Sequence, residues 1–323
     1  MSSPSYSKRL RKKPPGGSRK RPSVSPDEVT MTSSMTRRDF IRGTAVAVLG
    51  ASAALGQDPA APAGKTRVVL VRHPEALDAN SAFNEPVIRQ MLDDAVSKLL
   101  DLSDPIEAFK RLVKPDDIVG IKTNVWSFLP TPAPVEQALK RRVLDAGVAE
   151  QNIGLDDHTV RTNPLFVKAT ALINARPVRT HYLAGMSGCL KNYIMFAESQ
   201  PDHHPDSCAS LGSLFLLPQV KGKTRLNVLC ALTPQFHGRG PHNFSRRYVW
   251  NYKGLIVGQD PVAVDAVGLR LIMAKRRIEL GPDQETPPVP KHIQIADTKY
   301  GIGTADPAKI ELIKLGWLDD VLI

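Results

Sequence analysis

The chain has 323 residues, 42% of them hydrophobic and 23% charged, which is enough for one large domain or two small ones. Its formal charge of +11 is unevenly placed: residues 1–42 hold eleven Lys or Arg against three acids, and the body beyond is close to neutral, which argues against a nucleic-acid footprint. Three cysteines, Cys189, Cys208 and Cys230, none in a C-x-x-C pair, exclude a disulfide framework and the common zinc and redox patterns.

In chain order, Met1–Thr30 is rich in Ser, Pro, Lys and Arg and holds too few apolar residues to fold. Thr36–Arg42 (T-R-R-D-F-I-R) leads into Gly43–Gly56, an apolar run of small residues. Charged n-region, weak h-region and small-residue cleavage candidates such as Ala51-Ser52-Ala53 follow in the order of a signal peptide. Arg37 and Arg38, with Phe40 two later, resemble a twin-arginine export signal. About 14 residues fall short of the roughly 20 that span a bilayer, so no stable transmembrane span is expected. The resemblance implies export to the periplasm, already folded, by the twin-arginine translocation machinery. Residues 1–56 therefore read as basic extension plus signal, 57–65 as an Ala/Pro linker, and 66–323 as one domain.

Within the body, Arg67–Arg72 predicts a buried strand, and Asn84–Leu102 predicts a helix from Val87, Met91, Ala95 and Leu99. Pro105–Val113 follows as a helix, Asp117–Lys122 as a strand, and Val135–Ala146 as a helix stopped by Gly147. Asn152–Asp156 reads as a strand, Pro164–Asn174 as a helix and Pro177–His181 as a strand. Leu183–Ser213 breaks the alternation and is expected to cross the sheet's edge. Leu214–Pro218, Leu226–Leu232 and Lys253–Gly258 read as strands, and Asp260 as the N-cap of a helix running to Met273. Gly281–Pro290 is a proline-rich loop, His292–Ala296 reads as a strand, and Pro307–Leu315 as the last helix. No internal repeat is visible. The alternation argues an α/β fold with a largely parallel or mixed sheet flanked by helices.

Ligands of open α/β sheets bind outside the carboxyl ends of the strands. Polar residues recur at those ends: Lys122, Thr123 and Asn124; Asp156, Asp157 and His158; Thr180 and His181; His237 and His242; Asp297. The densest stretch is Val178–Asn192, which carries Arg179, His181, Cys189, Lys191 and Asn192 around Gly185 and Gly188. Lys122, Asn124 and Arg179 are the candidates for holding an anion. His181, Lys191 and Asn192 are the candidates for chemistry, with His181 as the acid–base group and Lys191 as charge stabiliser, base or nucleophile. A solvated loop lysine and a satisfied strand-end histidine are the bland alternatives. Asp157, His237 and His242 are a weaker N/O metal set, because their spacing fits no named motif. His203 and His204 rank below them. Cys189 reads as an inert core residue. Gly301-Ile302-Gly303 reads as a turn rather than a phosphate cradle. Asp265, in an apolar helix, needs a partner, with Lys191 or Arg270 the candidates.

The segments I-K-T-N (Ile121–Asn124), R-T-H (Arg179–His181), G-C-L-K-N (Gly188–Asn192), G-R-G-P (Gly238–Pro241) and D-P-V-A-V-D-A-V-G (Asp260–Gly268) together resemble the family catalogued as domain of unknown function 362, over roughly Val68 to Met273. Some members carry appended ferredoxin-type clusters, which implies a redox setting. This chain has no cysteine-rich module, and three scattered thiols cannot alone supply the four such a cluster needs, so no in-chain iron–sulfur cluster is expected. The expectation is an exported α/β enzyme, with or without a metal or cofactor, acting on a small anionic substrate. The alternatives are a non-catalytic anion- or metal-binding periplasmic protein and an accessory protein of an exported redox complex.

Overall fold

The run of β-branched residues at Thr66–Arg72 forms strand β1, apolar on both faces: Val69 and Val71 enter one core, Val68 and Leu70 the other. The computed structural model describes residues 64–238, 244–282 and 285–323, which lie in one compact unit, Pro62–Ile323. The proposed signal peptide, His242 and most of the G-R-G-P segment lie outside the described residues. After β1 come α1 (Glu85–Leu99), α2 (Pro105–Leu112), β2 (Val119–Lys122), α3 (Ala133–Asp145) and β3 (Ile153–Asp156). Then come α4 (Pro164–Val167), β4 (Ala171–His181), β5 (Gly185–Ser187), α5 (Cys189–Asn192) and a left-handed kink at α6 (Pro205–Cys208). The chain closes with β6 (Thr224–Gln235), β7 (Gly254–Gly258), α7 (Pro261–Leu280), α8 (Lys291–Thr298) and β8 (Ile310–Gly316).

The strands form one mixed sheet in the order β3-β2-β4-β6-β7-β1-β8, with β5 folded back on β4. Pairing is parallel from β3 through β6 and between β1 and β8, and antiparallel on both sides of β7. Apart from β5 and β7, every strand points the same way, so six carboxyl ends share one rim. Helices α1, α2 and α3 cover one face, through Ile88, Leu92, Phe109, Val135 and Leu139. The other face is covered by α7 and by the segment around Tyr193 and Phe215. Residues 183–217 therefore lie across a face of the sheet, not over its edge as predicted.

This arrangement creates a switch point. The connection leaving β2 passes to α3 on the first face, while the connection leaving β3 passes through Phe166 of α4 on the second. The connection leaving β4 also passes to the second face, through Leu190 and Tyr193. Adjacent strands β2 and β4 thus send their chains to opposite faces, and the crevice between such loops is where open α/β sheets take ligands.

Local signals placed most elements. Asp104 and Asp260 cap α2 and α7 through their side chains. Asp260 does more: its Oδ1 accepts from the amides of Val262 and Ala263, and its Oδ2 accepts from Thr304 at 2.8 Å. That last bond ties the Gly301–Gly303 turn to the start of α7. Gly147, at φ +102°, ends α3 as expected.

Three elements are of a different type from the sequence reading. Leu214–Pro218 is not a strand: a 3-10 stretch spans Ala209–Leu216, with Leu211 and Leu214 buried three residues apart. His292–Ala296 lies in α8, where His292, Ile293 and Ala296 share the helical face turned to the core. Pro307–Leu315 is not a helix but a 3-10 turn followed by edge strand β8, whose Ile310 and Leu312 join one core while Ile313 and Leu315 pack against the other. Apolar runs this short carry too few periods to separate 2.0 from 3.6, and the free edge of β1 selects the strand. The helix expected over Pro164–Asn174 stops at Val167 for a related reason, because Ala171 onward fills the gap between β2 and β6. Among the described residues, no helix is long and apolar enough to cross a membrane.

Candidate functional site

At the switch point, residues from the ends of β2, β3 and β4 and from α5 line a cavity of about 240 Å³. Asn124, Asp157, Arg176, Arg179, His181, Ser187, Lys191, Asn192 and His204 face it. Its size suits a small ligand, below the usual range for drug-sized ones.

The floor is a buried polar ladder. Lys122 on β2 is fully buried and forms an ion pair with Asp157, and it also donates to the carbonyl of Thr123 at 2.7 Å and to Asn192 Oδ1 at 3.3 Å. Asn192 Nδ2 donates to Asn174 Oδ1 at 2.8 Å, and Asn174 Nδ2 donates in turn to Asn227 Oδ1 and to the carbonyl of Cys189. Asn227 donates to the carbonyl of Gln259. The ladder joins β2, α5, β4 and β6 into one unit. Burial drives the Lys122 ammonium down to about 8 against the pull of Asp157. The Asp157 carboxyl lies below its ordinary value: burial pushes it up, but Lys122 and the amide of Val125 together outweigh that.

Helix α5 is only one turn long, so something must hold it. Asp265, fully buried on α7, accepts from the amides of Cys189 at 2.6 Å and Leu190 at 2.9 Å, the unpaired donors of that turn. Gly188 is required there, because a Cβ would stand 2.1 Å from Asp265 Oδ1. The expected partner for Asp265 was a cation, Lys191 or Arg270; the carboxylate instead binds backbone, because α7 packs directly against α5.

The walls are cationic. Arg176 and Arg179 are buried, and the Nε atom of each has no hydrogen-bond partner. Arg179 Nη1 donates to Asn124 Oδ1 at 3.1 Å and to the carbonyl of Leu129 at 2.9 Å, and its guanidinium lies 4.3 Å over the Trp126 ring. Burial lowers both guanidinium groups below their ordinary value, Arg179 strongly. Lys191 is 3% exposed, and its Nζ lies 3.1 Å from His204 Nε2. Burial brings Lys191 down to about 8; the nearby Cys208 thiol opposes this, and Arg176 and Arg179 reinforce it.

His181 is held as a neutral donor. Its Nδ1 accepts from the amides of Leu183 at 3.1 Å and Ala184 at 3.3 Å, which leaves the proton on Nε2. Burial, then Lys191 and the two arginines, push its pKa far below the ordinary histidine range, so the ring stays neutral. Such a ring can donate to an oxygen but offers no free lone pair for a base.

The cavity thus brings together Asn124, Arg179, His181, Lys191 and Asn192 among the residues proposed from sequence. Lys122 does not line it, because its ammonium is held by Asp157 beneath the floor. The two described members of the metal set lie apart. Asp157 belongs to this cavity, whereas His237 lines a neighbouring one with Thr180 and Arg276, and its Nδ1 lies 2.9 Å from Arg276 Nη1. Among the described residues, no three His, Cys, Asp or Glu side chains converge as a metal site. Cys189, Cys208 and Cys230 are buried free thiols.

Sequence reasoning passed over Arg176, Asn174 and Asn227. The signal was present: Asn174 and Arg176 sit two apart within an apolar strand, so both face one side of a buried sheet. Reading that strand as starting at Pro177 hid them. His204, rated low as a turn residue, comes to Lys191 because the left-handed kink at Asp206, Ser207 and Cys208 turns the chain back over α5.

No curated protein and no solved structure matches the chain. Residues 144–270, which contain Arg176, Arg179, His181, Lys191 and Asp265, match the family described as Domain of unknown function (DUF362), in support of the resemblance carried by the sequence motifs.

Proposed function

We propose that this chain is an exported protein whose switch-point cavity takes a small anionic substrate, with Arg176, Arg179 and Lys191 binding the anion and His181 donating to an oxygen next to the reacting centre. One observation carries the reading. Two buried guanidinium groups line the cavity with no carboxylate within ion-pair distance among the described residues, and the one carboxylate among the described lining residues, Asp157, is already paired with Lys122. A buried cation without a counter-charge is expensive to keep, and an anionic ligand would supply what is missing. Planar guanidinium groups suit carboxylate or phosphate oxygens. The lysine and the histidine donor favour an enzyme over a simple carrier, because they add a nucleophilic amine and a proton donor to the anion site. The export reading rests on Arg37, Arg38 and the apolar run behind them, and makes the translocation machinery a partner.

Calorimetric titration of the purified protein with phosphate, sulfate, acetate and pyruvate tests the pocket. Arg176→Met and Arg179→Met each weaken binding of the preferred anion by about 10- to 100-fold, the worth of one charged hydrogen-bonding group. The ligand-free Arg176→Met protein stays close to the wild type in stability, because relief of the buried guanidinium's desolvation offsets the loss of its attraction to Asp157 and Asp265. Unchanged affinity in both variants, or no anion bound at all, refutes the site. The export reading has its own check. Replacing Arg37 and Arg38 by lysine should leave the protein in the cytoplasm at full length, and continued appearance in the periplasm would count against the signal.

A further inference from the structure

We propose that Lys191 forms a Schiff base with a small 2-oxo carboxylate, whose carboxylate sits on Arg176 and Arg179 and whose ketone carbon faces the Lys191 amine. This rests on the anion-binding reading above and goes further by naming the substrate class and the covalent step.

The contrast between two buried lysines carries the argument. Lys122 is locked: its ammonium has a carboxylate, a carbonyl and an amide oxygen around it, and no approach from the cavity. Lys191 faces the cavity, and among the described residues no carboxylate lies within ion-pair distance of it. Its partner is an imidazole, His204 Nε2 at 3.1 Å. A lysine placed among two guanidinium groups, with a neutral nitrogen base as its neighbour, is set to lose its proton rather than to hold an ion pair. Its lowered value of about 8, against 10.5 ordinarily, means roughly two orders of magnitude more free amine at pH 7 than on a surface lysine.

The remaining groups fit the other half of the molecule. Two guanidinium groups recognise a carboxylate, and an adjoining carbonyl then lies next to the amine. The His181 Nε2 proton is available to the carbonyl oxygen. The rings of His181 and His204 lie 6.4 Å apart and nearly parallel. The cavity's 240 Å³ limits the rest of the molecule to a short chain.

The step balances without an oxidant or a reductant. His204 takes a proton from the Lys191 ammonium, and the free amine attacks the ketone carbon. A C–N bond forms as the carbonyl pair moves to oxygen, which takes a proton from the attacking nitrogen while the neutral His181 ring hydrogen-bonds it through Nε2–H. The hydroxyl then leaves as water, carrying the proton that His204 held, as the nitrogen lone pair closes the C=N bond. The sum is ammonium plus ketone giving iminium plus water.

The test is reductive trapping on the folded mature protein, with pyruvate as probe and borohydride as reductant, read by intact and peptide mass spectrometry. The expected product is one carboxyethyl group on Lys191, at a level at least tenfold above any surface lysine, given roughly two orders of magnitude more free amine. Acetaldehyde, which lacks the carboxylate, labels Lys191 less, and added phosphate protects it. Lys191→Met loses the label, and Arg179→Met reduces it. If pyruvate binds by calorimetry but trapping leaves Lys191 unmodified, or labels all lysines alike, the Schiff base is refuted while the anion pocket stands. If no anion binds, both readings fall together.

Discussion

Replacing Asp157 with alanine destabilises the domain by about 3–5 kcal/mol, the usual consequence of stranding one member of a buried ion pair. Lys122 and Asp157 are both buried, and removing the carboxylate leaves an ammonium with only the Thr123 carbonyl and Asn192 Oδ1. The amide of Val125 also loses its acceptor, which loosens the loop leaving β2. Lys122→Met alone is expected to cost a similar amount, because Asp157 is then buried without its cation. The double variant Lys122→Met with Asp157→Leu should recover much of the loss, since a well-packed apolar pair of similar volume removes both desolvation penalties. Urea denaturation of the four proteins reads the cycle. Simple addition of the two single losses would show that the two groups do not act as a pair, and would remove the floor on which the cavity is built.

Asp265→Ala is the second large effect. It leaves the buried amides of Cys189 and Leu190 without an acceptor, at about 1–3 kcal/mol each, and releases the single turn that presents Lys191 and Asn192. Anion affinity should fall with stability, although Asp265 does not line the cavity. Asp265→Asn separates charge from shape. Burial raises the Asp265 carboxyl to about 7 despite the two amides and Arg176, well above its unfolded value. The folded state therefore keeps the proton between about pH 4 and pH 7, while the unfolded chain releases it. The contribution of Asp265 to stability falls as pH rises through that window and is constant above it, by a few kcal/mol in total. The stability of wild type relative to Asp265→Asn should decline accordingly from pH 4 to pH 7, measured by urea denaturation at intervals. A difference that is flat across that range would mean that the carboxyl is ionised throughout and compensated by groups other than those seen around it.

The candidate site was half legible. Gly188-Cys189-Leu190-Lys191-Asn192 stood out because glycine, lysine and asparagine do not cluster in a core, and Arg179 and His181 stood out as polar heads at a strand end. What each does was not legible. Lys122 and Lys191 have the same chemistry in the sequence, yet one became a structural ion pair and the other a lysine with an imidazole neighbour. The difference lies in Asp157 and His204, which arrive from β3 and from a kinked loop. His181 was read as an acid–base group, whereas two backbone amides from the turn after β4 fix its proton on Nε2.

By itself the sequence determined the α/β class, most of the parallel strands and the cap of α7, because these follow from local periodicity and from the Asp side chain placed at that helix start. It also determined that polar groups would gather at strand ends, since alternating strand and helix leaves those ends on one rim. Only the tertiary structure decided the fate of Leu214–Pro218, His292–Ala296 and Pro307–Leu315, where the vacant edge of β1 and the packing of α8 outweigh weak local preference. It alone decided which cations would lie beside a carboxylate and which would face a cavity, because burial and the approach of distant chain segments set charge state and partner, and neither is a property of a residue's neighbours along the chain.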